Sequence, residues 1–293
     1  MPLDQLLGEH FVHTALLAGA IVSLVAGAVG LFVVLRGMSF AVHAVSELGF
    51  TGAAGALVLG LDPVLGMLTG SLAVGAFLGF MTVEGRERDS AIGSLLAFGL
   101  GVGVLLISLY QGYATQATNL LFGSIVGVSD EQLRVLAATA IVVGGVLSIV
   151  YRPLLFASID PEGAEARGVP LKLLSVVLLL LIALTTAEAI QVVGVLLVLT
   201  LVITPAAAAV RLTARPAIGL LLSIAIAFVA AEGGILLSLL HPYPTSFFIS
   251  SISFAAYVVA RATGKRRFGR VRQEGAGAHR AVPHAAKDHA AAR

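Results

Sequence analysis

The chain has 293 residues, 58% of them hydrophobic and only 12% charged, with a mean hydropathy of +1.01. A water-soluble domain of that length must still show a polar surface, so this composition excludes one and points to a bilayer-embedded bundle. Cysteine is absent, which removes disulfides and thiolate metal sites, and the formal net charge of +2 says less than where the charges fall.

Crossing about 30 Å of hydrocarbon takes roughly 20 apolar residues. Met1–His10 carries Asp4 and Glu9 and no Lys or Arg, the opposite of the basic start of a cleavable signal peptide. The apolar runs then predict spans over Phe11–Leu35, Val42–Gly60, Val64–Val83, Ala91–Tyr110 and Leu133–Tyr151. Four more follow over Leu171–Thr186, Ala189–Val210, Ala217–Leu240 and Phe247–Ala260. Glu188 and Gln191 interrupt the apolar tract between the sixth and seventh runs, and a re-entrant hairpin there would lower the count. The expected fold is all-α: a polytopic membrane helix bundle of about eight to nine transmembrane helices over residues 1–263. Residues 264–293 form a basic, histidine-containing tail that reads as disordered and cytoplasmic.

With nine spans and the N-terminus outside, Arg36, Arg86, Arg88, Arg152, Arg167, Lys172, Arg211, Arg215 and the cluster from Arg261 onward fall on one side. Only Arg134 falls on the other. That bias is what the positive-inside rule expects, and it orients the chain N-out and C-in. Glycines at four-residue spacing (Gly66/Gly70, Gly75/Gly79, Gly99/Gly103, Gly123/Gly127) read as close helix packing in lipid.

Ionisable residues inside a bilayer cost about 2.5–3.5 kcal/mol each near its centre, so they face a cavity or a partner. In the second span Ser39, His43, Glu47 and Thr51 recur every four residues, with Ser46 adjacent, and form one polar stripe. His43 and Glu47, one turn apart, can offer an imidazole nitrogen and a carboxylate oxygen to one Zn²⁺, Mn²⁺ or Fe²⁺. Two ligands do not close a site. Water, another span or a second subunit would complete it, and a plain His–Glu hydrogen bond that glues helices explains the pair equally well. Glu188, at the outer end of the sixth and seventh spans, and Glu232, within the eighth, are weaker pathway candidates; an interfacial place for Glu188 is the plainer reading. His10, His13 and His241 read as ordinary surface histidines, and the tail histidines His279, His284 and His289 as a compositional accident.

The sequence has no phosphate-cradling Gly-x-x-x-x-Gly-Lys-Ser/Thr loop, no Gly-x-Ser-x-Gly and no His-Glu-x-x-His, so neither ATP hydrolysis nor intramembrane hydrolysis has a motif to rest on. Topology explains the basic residues, which leaves no case for nucleic-acid binding. In the longest inside loop, Asp160 can cap a short helix that starts at Pro161 and carries Glu162 in its first turn, with Gly168 and Pro170 closing it. Such a helix at the membrane face suits a docking partner, although an ordinary surface helix would look the same.

Five ordered stretches resemble the permease subunits of the zinc/manganese/iron group of ABC importers over nearly all of Phe11–Ala260. They are Arg36-Gly-Met-Ser with the stripe after it, Glu87-Arg-Asp-Ser-Ala-Ile-Gly93, and Leu121-Phe-Gly-Ser-Ile-Val-Gly-Val-Ser129. The other two are Ile159-Asp-Pro-Glu-Gly-Ala-Glu-Ala-Arg-Gly168 and Gln191-Val-Val-Gly-Val-Leu-Leu-Val198 with Ile203-Thr-Pro-Ala-Ala207. The resemblance implies a homodimeric permease in a bacterial plasma membrane, served by a cytoplasmic ATPase and an extracytoplasmic metal-binding protein. It implies that Asp160, Pro161, Glu162, Glu165, Arg167 and Gly168 dock the ATPase. It also implies that a divalent metal passes as cargo with no permanently bound cofactor; the histidine of the stripe puts zinc first, with manganese or iron as alternatives. The sequence departs from the family in one place: His43 stands where the family has Asp, and Glu47 where it has His. The resemblance favours His43 and Glu47 as ligands, and the departure leaves the ion open. A stand-alone secondary carrier, with Glu47, Glu188 and Glu232 as relay groups, is the alternative, though no inverted repeat is visible.

Overall fold

The computed structural model describes residues 9–81, 86–110, 112, 123, 128–195, 197–241 and 243–263, with the side chains of 86–89 outside that description. Helix α1 runs over His10–Arg36, α2 over Ser39–Val58, α3 over Pro63–Phe80 and α4 over Arg86–Leu109. Helix α5 covers Asp130–Ile159, α6 Pro161–Ala166, α7 Leu171–Val193, α8 Val198–Val202 and α9 Thr204–Leu212. Helices α10 (Pro216–Leu240) and α11 (Thr245–Thr263) follow. Eight of these are long and apolar enough to cross a membrane, and Val198–Leu212 is a shorter apolar stretch. The described residues contain no strand.

Local chemistry sets the ends. Asp62 accepts from the Val64 amide at 2.6 Å with Pro63 in the first turn of α3. Ser129 and Gln132 exchange side-chain and backbone hydrogen bonds in a capping box at the start of α5. The predicted fifth span stopped at Tyr151, but α5 continues through Pro153 to Ile159. Its packing on α1 and α7 outweighs the one backbone bond that a proline removes.

Helices α1, α2 and α7 form the centre: about two-thirds or more of their apolar windows is buried, against a third or less for the others. Glycine makes the contacts close. On α3, Gly66 and Gly70 approach Gly52 of α2, while Gly75 and Gly79 approach Leu179, Ala183 and Val176 of α7. Gly99 and Gly103 of α4 meet Leu48, Phe50 and Thr51 of α2. These pairs act as the expected packing devices. Gly127 and most of the Leu121–Ser129 run lie outside the described residues, as do Met1–Gly8 and the 264–293 tail.

The boundary between the sixth and seventh spans differs from expectation. Helix α7 does not stop at Thr186; it carries Glu188 and Gln191 within it and ends at Gly194, whose φ of 79° only glycine adopts readily. The seventh crossing is then broken into α8 and α9, where Pro205 has no N–H to offer the Leu201 carbonyl. The pair runs alongside α11 in the same direction: Thr200 lies beside Phe247 near the start of α11, and Arg211 Nη2 donates to Tyr257 Oη at 3.3 Å further along. Opposite charge and helix propensity are local signals; this break depends on tertiary packing, with the carbonyl of Val202 lying directly on Gly30 of α1.

Candidate functional site

The stripe on α2 faces neither α3 nor α7. Those neighbours are met by Gly49, which touches Ser71 and Ile190, and by Gly52, which touches Gly66 and Gly70. Residues two positions apart on a helix point about 160° apart, so Glu47 leaves α2 on the flank opposite Gly49. Glu47 is 7% exposed, and His43 is half-buried with its ring 6.4 Å from Phe40.

The two side chains are near enough to interact electrostatically, yet they form no hydrogen bond or ion pair with each other. His43 Nδ1 is sealed and unbonded, whereas Nε2 and both Glu47 oxygens remain reachable and unbonded. The helix-gluing His–Glu hydrogen bond is therefore not what the structure contains. Thr51, at the top of the stripe, uses its hydroxyl on the carbonyls of Gly99 at 2.8 Å and Glu47 at 3.2 Å, which ties α2 to α4. Ser46 donates to the His43 carbonyl at 3.2 Å. An imidazole and a carboxylate thus stand free on a protein-enclosed face while their hydroxyl neighbours bond to backbone. Among the described residues no three His, Asp or Glu side chains converge, so the pair remains a two-donor arrangement.

Glu188 is enclosed by protein near the end of α7. It is 1% exposed, and both of its oxygens are sealed without a hydrogen-bond partner. Helices α2 and α7 run parallel, each antiparallel to α3, and Ile190 touches Gly49. Glu47 and Glu188 each precede that contact by two residues, which places them at similar depth on opposite flanks of the helix pair. Glu232 lies elsewhere, on α10 against Gly19 of α1, with Oε1 sealed and unbonded. The structure does not gather these three carboxylates. Sequence reasoning missed Phe40, whose only signal was its place three residues before His43, and Ser71, whose sealed and unbonded hydroxyl had none.

On the loop after α5, Asp160 accepts from the Gly163 amide at 3.0 Å and Pro161 opens α6, as the sequence suggests. Ala164 is buried and pins the helix, while Glu162 and Glu165 are exposed. The Arg167 guanidinium lies 5.2 Å from the Phe156 ring, and Gly168, at φ 78°, turns the chain into α7.

Residues 9–264 match the ABC 3 transport family. The chain belongs to that family. The permease is 31% identical over 258 residues to the "Manganese transport system membrane protein MntC" of Halalkalibacterium halodurans, covering 88% of each chain. It is 33% identical over 208 residues to the "Manganese import system permease protein ScaB" of Streptococcus parasanguinis, covering 71% of this chain and 74% of that one. Among solved structures it is similar to "PsaBC from Streptococcus pneumoniae in complex with Fab", with 26% identity and a TM-score of 0.80 over 92% of this chain and 98% of that one. It is the membrane-spanning permease of an ABC metal importer of the zinc/manganese/iron type. It is not itself an enzyme; ATP hydrolysis belongs to a separate subunit.

Proposed function

We propose that the permease carries manganese into the cytoplasm, with His43 and Glu47 as the groups that touch the ion. The observation that carries this reading is the free imidazole–carboxylate pair on the enclosed face of α2, unbonded to each other and reachable. One nitrogen and one carboxylate, completed by water, suit manganese or iron as well as zinc. The manganese names of the relatives put that ion first, where the stripe alone had put zinc. No resident cofactor is needed: the metal is cargo.

Two copies of the permease work with two cytoplasmic ATPases and an extracytoplasmic metal-binding protein, in a bacterial plasma membrane, N-terminus outside. Helix α6 and its flanks, with Asp160, Pro161, Glu162, Glu165, Arg167 and Gly168, receive the ATPase. Its cap, its buried Ala164 and the Arg167–Phe156 contact make it a firm lever at the membrane face. The closing of the ATPase dimer then moves α5 and α7, which flank it. His43→Ala and Glu47→Ala should each lower manganese uptake in cells by up to about 100-fold with unchanged membrane abundance. Wild-type uptake by a well-expressed double variant would defeat the assignment. Charge reversal at Glu162 and Glu165 should release the ATPase on co-purification.

A further inference from the structure

Lipid-exposed irregular backbone is not tolerated at membrane depth; a broken crossing must be buried in protein or line water. One side of the α8–α9 break is buried, with Val202 on Gly30 of α1. The other side opens on a cleft of about 380 Å³ lined by Thr200, Thr204, Phe247, Ser250, Ser251 and Phe254. Its four hydroxyls are of two kinds. Ser250 and Ser251 donate to the Phe247 carbonyl at 3.0 and 2.7 Å, as hydroxyls on membrane helices usually do. Thr200 and Thr204, one turn apart across the break, donate to nothing, and their oxygens are reachable. Between them, Pro205 denies the Leu201 carbonyl its helical donor. Helix α8 also touches α2, the helix that carries the His43–Glu47 stripe.

We propose that this cleft is a water-filled stretch of the ion route, in which the Thr200 and Thr204 hydroxyls hold a hydrated divalent cation through oxygen. In broken membrane helices unwound carbonyls and half-helix C-terminal ends coordinate cations, and here the Leu201 carbonyl and the end of α8 would join the two hydroxyls. Neutral oxygen donors that leave water on the ion suit manganese better than zinc, which draws nitrogen and sulfur. The inference rests on the manganese reading of the permease, and it adds a second, nitrogen-free station to it.

The chain has no cysteine, so single-cysteine variants report cleanly. Thr204→Cys and Thr200→Cys, in the permease–ATPase complex in vesicles, are treated with a cationic, water-soluble methanethiosulfonate. Ile149→Cys, on an apolar face of α5 that is 82% exposed and outside the cleft, serves as the control. At least one threonine position should react several-fold faster than the control, and manganese should slow that reaction several-fold. Testing both positions guards against a variant that fails to assemble. No labelling at either threonine position overturns the route. Labelling that manganese does not slow overturns the cation station. Failure of the underlying reading looks different: the wild-type complex would take up no manganese while the cleft still labels.

Discussion

Glu47 on α2 and Glu188 on α7 sit at similar depth, on parallel helices that touch through Gly49 and Ile190, and both are almost fully enclosed. They differ in what surrounds the carboxyl. The Glu47 oxygens are reachable and have His43 one turn away; the Glu188 oxygens are sealed and have nothing. On the proposed reading, access to a carboxylate beside a second unbonded donor, and not burial alone, marks the ion pathway.

The contrast can be broken at its stronger end first. Glu47→Ala should lower manganese uptake about 100-fold, the upper end of what disturbing a metal's surroundings costs, with abundance unchanged. A transport assay on matched membranes checks it, and residual uptake near wild type would erase the distinction. Glu188→Met should do the reverse. Replacing a sealed, unbonded polar group by an apolar chain of similar length should raise stability by about 1–3 kcal/mol and leave uptake within about twofold. Thermal unfolding in detergent reads the first effect, and lost uptake would make Glu188 part of the route.

Gly49→Val tests the packing contact beside the two regions. A branched side chain there runs into Ser71 of α3, so overpacking should cost about 1–3 kcal/mol and shift α2 away from α3. Reduced melting temperature together with a raised KM for manganese is the expected result. Thr51→Val is the mildest change. It removes one interhelical hydrogen bond to Gly99, worth about 0.6 kcal/mol on average in membrane proteins, and should alter uptake little.

The sequence made the stripe legible because a four-residue period on an apolar helix needs no tertiary knowledge. Capping residues likewise marked the Asp160–Gly168 helix, since a cap acts within one turn. The enclosure of Glu188 was not legible for the opposite reason. A glutamate beside a glutamine within an apolar tract looks like a span end, and only the packing of α7 against α1, α2, α3 and α5 turns that stretch inward. The end of α7 came three residues after Gln191, at a glycine indistinguishable in sequence from many others here.

Composition and periodicity by themselves determined that this chain is a membrane helix bundle with an imidazole and a carboxylate on one face of its second helix. Both follow from short-range rules: apolar length against bilayer thickness, and 3.6 residues per turn. Tertiary structure decided which carboxylates are reachable, where the seventh crossing breaks and which hydroxyls stay free. Those depend on which helix faces meet, and in lipid that choice is made by close packing of small residues, with no hydrophobic pattern to announce it.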